Sequence, residues 1–317
     1  MPKKRLFGFI ADPLTNFKPL TDNTLCYMKE VRRLNHDFLV CQPKDLFMKQ
    51  NELWGTFTEI ELTGKIPNFF SVVGQKKLPL KKFDVLFLRK DPPVDMYYLH
   101  HLYLLMKLEG EVLMVNKPSA ILRFNEKLSA LSFPFSPKTL VSFNVDQIVT
   151  FAEKQKRGVV VKPLSDGSGR GVIKIQKSKI KNQKSKKLLK EMTGNGHFMV
   201  VCQEFLPQIS VGDQRIVLWN GKILTHFIRK PKIGNFLANT AAGGQLLPFP
   251  LGAREKKIAE TVGAWAKKEG LYIVGLDVIR PYLTEINVTS PAGVQQGNSV
   301  YGKQFERIII NDVLKWI

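Results

Sequence analysis

The apolar positions in the first third of the chain come in short runs separated by longer mixed segments. RLFGFIA, DFLVCQP, FDVLFLRK and EVLMVN read as strands, while DNTLCYMKEVRRLN and VDMYYLHHLYLLMKLEG carry apolar residues at helical spacing. Short apolar strands alternating with helices predict a parallel α/β domain. Asp22 is placed to cap the first of these helices, and Gly110 to close the second.

The pattern changes after about residue 120. FNEKLSALSF predicts a helix, and GVVVKPL and GVIKIQK predict two strands around the glycine-rich SDGSGRG, an antiparallel hairpin. HFMVVCQEFL is a strand ending in polar Gln203 and Glu204. QRIVLWNGKILTHFIRK is a hairpin turning at Asn220-Gly221. REKKIAETVGAWAKKEG is a helix stopped by Gly270, LYIVGLDVIRPYLTEINV is two strands turning at Arg280-Pro281, and QFERIIINDVLKW is a final helix. The expected organisation is an α/β domain to about residue 121 and an α+β remainder with its own smaller lobe.

Composition narrows the class. The chain has 317 residues and three scattered cysteines, Cys26, Cys41 and Cys202. No spacing among them suggests a metal knot or a disulfide framework, so a reduced, cytoplasmic setting is expected. Asp12 and Pro13 cut short the apolar run after the basic start, and no run reaches the ~18 apolar residues of a membrane span. The net charge of +21 invites anionic partners. Yet the densest stretch, Lys174 to Lys190, has eight lysines with no arginine or aromatic residue among them. That reads as a solvated loop and helix face rather than a nucleic-acid surface.

Candidate chemistry sits in the second part. Gly167, Gly169 and Gly171 could let backbone N–H groups cradle phosphate, or could simply turn a hairpin. Lys162, inside apolar VVVKP, is either an edge residue or a phosphate-holding point charge. Lys127 could be a second such cation or a surface helix residue. Asp277 ends one strand of the last hairpin, and Glu285 and Asn287 alternate on the other. Placed on one face, they would offer hard oxygen ligands suited to Mg²⁺; alternatively, Glu285 pairs with a lysine and Asn287 caps a turn. Asp213 and Arg215 also alternate on one strand, and an arginine there suits a phosphoryl group. No Ser–His–Asp arrangement stands out, and the five histidines lack ligand-like spacing.

The order of these residues resembles the ATP-grasp superfamily. RKDPP (Arg89 to Pro93), VNKP, NEKL, KPL, AAGG (Ala241 to Gly244) and VGLDVI…LTEINVTSP together resemble bacterial glutathione synthetase over nearly the whole chain. The resemblance implies an ATP-grasp fold with an N-terminal pre-ATP-grasp domain (1–121), a small lobe with the glycine loop (122–203), and a C-terminal lobe with the metal site and a lid (204–317). It implies a ligase joining γ-glutamylcysteine and glycine through an acyl phosphate, with ATP and Mg²⁺ (or Mn²⁺). Lys127, Lys162 and the glycine loop, Gly167, Ser168, Gly169 and Gly171, would hold phosphates. The backbone of Gln203, Glu204, Phe205 and Leu206 would read adenine, and Asp213 the ribose. Arg215 would stabilise the transferring group, Asp277, Glu285 and Asn287 would hold the metal, and residues 230–244 would close as the lid. A homo-oligomer acting on small-molecule substrates follows from the same resemblance; neither a membrane nor nucleic acid is expected as partner, from the missing apolar run and the bare lysine stretch.

Two segments differ from the family pattern. Leu237 stands where the lid commonly has an arginine, and AGVQQGN follows TSP in place of a segment with an arginine and a glutamate. The glycine loop also leans toward the ribosomal-protein glutamate ligase branch. A related ligase for another amino acid or peptide, or a non-catalytic nucleotide-binding protein, are the alternative readings.

Overall fold

The computed structural model describes residues 3–317 apart from Ser168, Ile233, 235–237 and 239–242. In chain order the elements begin with β1 (Leu6–Ala11), α1 (Asn23–Arg33), β2 (Asp37–Cys41), β3 (Leu46–Lys49), β4 (Glu52–Leu62), β5 (Phe70–Pro79), β6 (Val85–Arg89), α2 (Met96–Leu105), β7 (Leu113–Val115) and α3 (Pro118–Arg123). β8 (Thr139–Ser142), α4 (Val145–Glu153), β9 (Val159–Pro163), β10 (Ile173–Ile175), α5 (Gln183–Met192) and β11 (Val200–Glu204) follow. The last third holds β12 (Asp213–Trp219), β13 (Lys222–Lys230), β14 (Gln245–Leu247), α6 (Ala253–Glu269), β15 (Ile273–Ile279), β16 (Tyr282–Asn287), α7 (Val294–Tyr301) and α8 (Glu306–Trp316).

The strands form three sheets. In the first, β2, β1, β6 and β7 run parallel, as the alternating pattern predicts. β3, β4 and β5 extend it as antiparallel strands that the apolar runs did not reveal. Much of β5 is exposed, so it lacks the apolar run of a buried strand. One face of this sheet packs on α1 and α8 through Phe7, Phe9, Phe87, Ile309 and Val313. The other face packs on α2 through Tyr98, Leu102 and Leu105.

The second sheet, in the order β10-β9-β11-β8, packs on α4 and α5 through Ile148, Val161, Cys202 and Leu189. The third, in the order β14-β13-β12-β15-β16, packs on α6 through Ile258, Val262, Leu276 and Leu283. Asn116, fully buried, fastens the first unit to the third sheet. Its Nδ2 donates to the carbonyls of Ile273 and Val288 at 2.8 Å each, and its Oδ1 accepts from Ile273 N at 2.8 Å.

Local rules explain most element ends. The Asp22 carboxylate accepts from Leu25 N at the start of α1. Asn220 and Gly221 take φ of 47° and 80°, the left-handed pair a two-residue hairpin needs. Two expectations fail. FNEKLSALSF is not an α-helix: Ser129–Ser132 is a 3-10 turn, and Ile286 N donates to the Glu126 carbonyl, drawing the segment along β16. Gly110 does not cap α2 directly, because a 3-10 turn over Met106–Leu108 intervenes. All eight lysines from Lys174 to Lys190 are exposed, whereas Ser185 and Leu189 on α5 face inward. Among the described residues no helix is long and apolar enough to cross a membrane.

Candidate active site

A cleft of about 520 Å³ lies where the three sheets meet. Its centre is the β15–β16 hairpin, and the pairing there has a consequence for the chemistry. Counting back from the Arg280-Pro281 turn, an unbroken ladder would place Asp277 opposite Thr284. A bulge between Asp277 and Val278 shifts the register by one, so Asp277 pairs with Glu285 and Gly275 with Asn287. Directly opposed residues share a face, and a one-residue slip reverses faces. The bulge therefore brings Asp277, Glu285 and Asn287 into one cleft.

Cations converge on these oxygens. The Arg215 Nε donates to Asp277 Oδ1 at 2.7 Å and its Nη2 to Oδ2 at 3.2 Å. Arg229 Nη2 lies 2.8 Å from the same Oδ1 and also bonds Asp213 Oδ2. Lys162 on β9 donates to Glu285 Oε1 at 3.0 Å, bridging the second and third sheets. Burial alone would raise the Glu285 carboxyl, but Lys162 and Lys127 overcome it and hold it down at about 2. Burial lifts Asp213 to about 7 against the pull of Arg229 and Arg215. Asn287 Nδ2 donates to the Gly275 carbonyl at 2.9 Å and approaches Asp277 Oδ2 at 3.3 Å, which orients its amide toward the carboxylates.

The donor set suits a hard divalent cation. Two carboxylates and an amide oxygen, with no sulfur or imidazole, match a cation that takes its remaining ligands from substrate oxygens. Among the described residues no group of three or more His, Cys, Asp and Glu forms a self-sufficient metal cage. The surrounding Lys162, Arg215 and Arg229 have counterparts in the negative charge a phosphorylated substrate would bring.

The other expected residues divide. Lys162, Gly167, Gly169, Gln203, Glu204, Phe205, Leu206, Asp213 and Arg215 line the cleft with Asp277, Glu285 and Asn287. Lys127 and Gly171 do not line it. Lys127 instead donates to the Asp166 carbonyl, fastening the glycine loop from one side. Arg170 fastens it from the other, through Asp166 Oδ1 and the Pro92 carbonyl at 2.8 Å each. Gly169 and Gly171 take φ of 75° and 66°, which a side chain would strain. Ser168 and most of the lid, including Leu237, Ala241 and Ala242, lie outside the described residues.

Cys202 sits wholly inside the second sheet, its thiol pushed up to about 12 by burial, so it is an inert core residue.

Sequence reasoning missed Arg229, and it assigned no role to Arg89, Glu126 or Gln296. Glu126 Oε1 accepts from Val288 N, Thr289 N and Thr289 Oγ1 at 3.1, 3.2 and 2.7 Å, pinning the chain where it leaves β16. Lys174, placed in the solvated lysine run, also holds its ammonium 3.4 Å from the centroid of the Phe205 ring at the cleft wall.

Family models place this geometry. The prokaryotic glutathione synthetase N-terminal domain matches residues 6–123, and the ATP-grasp domain of the same family matches 126–302. The chain belongs to the prokaryotic glutathione synthetase family. It is 34% identical over 313 residues to a glutathione synthetase of Prochlorococcus marinus, covering 98% of this chain and 99% of that one. It is 38% identical over 291 residues to that of Parasynechococcus marenigrum, with 91% and 92% covered. In structure it resembles D-cycloserine synthetase DcsG, with a TM-score of 0.68 at 12% identity over 97% of this chain and 99% of the other, a likeness of fold. Membership in the glutathione synthetase family brings with it a peptide-forming ligase activity, ATP as substrate and dependence on a divalent cation. The mixed α/β architecture is thus that of an ATP-grasp enzyme.

Proposed function

We propose that the chain joins γ-glutamylcysteine to glycine at the expense of ATP, with Mg²⁺ as the divalent ion. The observation that carries this reading is the opposed pair Asp277 and Glu285, set among Lys162, Arg215 and Arg229 in the one cleft that the glycine loop also lines.

The reaction asks little covalent chemistry of the protein. The cysteinyl carboxylate attacks the γ-phosphorus of ATP, giving an acyl phosphate and ADP. The glycine nitrogen then adds to the acyl carbon, and phosphate departs with the electron pair of the broken C–O bond. Catalysis is positioning and charge stabilisation. Glu285, Asp277 and Asn287 would hold the divalent ion, which would supply charge neutralisation for the phosphates. Arg215 and Arg229 exchange a carboxylate partner for the transferring phosphoryl group. Lys162 and the backbone of Gly167 and Gly169 hold the nucleotide phosphates, Gln203 to Leu206 receive adenine, and Asp213 receives the ribose. Lys127 acts through the glycine loop, whose Asp166 carbonyl it holds. The three buried free thiols accord with a cytoplasmic setting.

Phosphate release from purified protein with ATP and Mg²⁺ tests the reading. Release that requires both γ-glutamylcysteine and glycine, with glutathione detected by mass, is expected; release dependent on some other amino acid pair would refute the substrate assignment. Lys162→Met tests the phosphate role. It removes the cation that holds Glu285, and nucleotide affinity should fall at least ~10-fold by titration calorimetry. An unchanged affinity would take Lys162 out of the nucleotide site. The same variant should unfold at higher pH on acidification. A depressed Glu285 carboxyl contributes stability above its ordinary 4.5 that is lost only as pH falls toward 2, and Lys162 is a main source of that depression.

A further inference from the structure

The glycine loop joins β9 to β10 in the second sheet, yet residues outside that sheet tie it down. Asn125 Nδ2 donates to the Leu164 carbonyl at 3.2 Å, and Lys127 to the Asp166 carbonyl. Two further bonds come from the connector between β6 and α2, which belongs to the N-terminal unit. Val94 N donates to the Ser165 carbonyl at 2.9 Å, and Arg170 Nη2 donates to the Pro92 carbonyl at 2.8 Å. The loop also lies directly on the Pro92 ring: a Cβ at Gly167 would stand 3.1 Å from Pro92 Cγ.

Arg170 is the one side chain of the loop that makes this crossing by a hydrogen bond among the described residues. Its Nε is anchored on Asp166 Oδ1 at 2.8 Å, so a single planar guanidinium spans from the loop to the connector. Arg170 does not itself line the cleft, whereas Gly167, Gly169 and Pro92 do. It is therefore placed to set the loop, not to touch what the loop holds.

The setting matters because the loop is costly to order. Gly169 and Gly171 sit at φ of 75° and 66°, and glycines lose more freedom on ordering than other residues. A ligand that meets a loose loop must order it, and a second ligand that meets an ordered loop need not. The nucleotide phosphates meet the loop from one side. The donor carboxylate must come within about 3–3.5 Å of the γ-phosphorus to react, so the donor lies between the loop and the N-terminal unit.

We infer that Arg170 is a positioning residue that couples the two substrates: by clasping the glycine loop to the connector, it makes bound nucleotide strengthen donor binding and bound donor strengthen nucleotide binding. The inference rests on the ligase reading given above and adds to it a residue that touches neither substrate.

Titration calorimetry with the non-hydrolysable nucleotide AMPPNP and Mg²⁺, with and without saturating γ-glutamylcysteine, tests it. In the wild type the donor should lower the nucleotide Kd about 10-fold, and by reciprocity the nucleotide should lower the donor Kd by the same factor. Arg170→Met should bring both factors within about 2-fold of unity. In turnover the KM for ATP should then rise more than kcat falls. The Arg170 side chain is 51% exposed, so this variant should fold. A merely structural brace would lower the melting midpoint and leave the coupling factor of the folded protein unchanged, and that result would overturn the inference. Asp166→Ala gives an independent check, since it frees Arg170 from its anchor. Under the clasp it too should lose coupling. If Arg170 instead served phosphate directly, freeing it would tighten AMPPNP binding, which would overturn the clasp. A wild type with no coupling that still makes glutathione would overturn the inference and leave the ligase reading intact. A wild type that releases no phosphate with γ-glutamylcysteine and glycine would remove both.

Discussion

Glu285→Gln should lower kcat on the order of 1,000-fold while the fold persists. The amide keeps the volume and one oxygen of the carboxylate but removes the negative charge that a divalent ion requires. It also leaves the Lys162 ammonium, now 3.0 Å from Glu285 Oε1, without its counter-charge. The Glu285 and Lys162 side chains are only 20% and 12% exposed, but the amide oxygen of the glutamine can still accept from the Lys162 ammonium, so the stability cost stays below that of removing the partner outright. Phosphate release measured across a Mg²⁺ titration would show the loss, and excess metal should recover only part of it. A variant that kept a tenth or more of wild-type turnover would show that Glu285 does not hold the catalytic metal, and the role of the bulged hairpin would have to be reassigned.

Arg229→Met should be the most destabilising single change in the cleft. Arg229 is 5% exposed and lies between two carboxylates, Asp213 and Asp277. Removing one partner from a buried ionic cluster leaves charge uncompensated and costs about 3–5 kcal/mol. At roughly 2–4 °C per kcal/mol for a larger domain, the melting midpoint should fall by about 10 °C. The loss should depend on pH with a definite sign. Burial already holds the folded Asp213 carboxyl near 7, against an ordinary 3.8. Without the arginine it rises further. Between pH 4 and that raised value the folded state binds a proton that the unfolded chain has released, so stability falls as pH rises through the window. The deficit relative to wild type should therefore be small near pH 5 and largest above pH 8. Thermal melts at pH 5, 7 and 8.5 would check it. A deficit constant across these values would mean that Arg229 contributes through packing rather than through its charge.

The parallel centre of the first sheet, the glycine hairpin and α6 were all legible in the chain. Each is set by short-range rules: apolar runs of strand length between helical periods, glycines at positive φ, and a helix stopped at Gly270 with φ of 79°. The outlying strands β3 to β5 were not legible, because a half-exposed antiparallel extension has no uniform apolar face to announce it. The segment around Glu126 was not legible for a related reason: its apolar spacing suits a helix, but its backbone is recruited by β16, a partner some 160 residues away.

Within the site, the sequence by itself determined which chemistry was on offer. Glu285 and Asn287 two apart on a strand, Lys162 in an apolar run and glycines between two strands are covalent facts that tertiary structure cannot alter. Only the tertiary structure decided how they meet. Two bulges do much of this, one between Asp277 and Val278 and one between Val217 and Leu218. An unbroken ladder from the Asn220-Gly221 turn would set Ile228 opposite Asp213; the bulge sets Arg229 there instead. A bulge inserts one residue into one strand, and its position is chosen by packing on both faces of the sheet rather than by the turn that starts the ladder. That single-residue shift moves every later side chain to the other face, which is why the carboxylates and the amide were readable in the chain and their convergence, with Arg229 among them, was not.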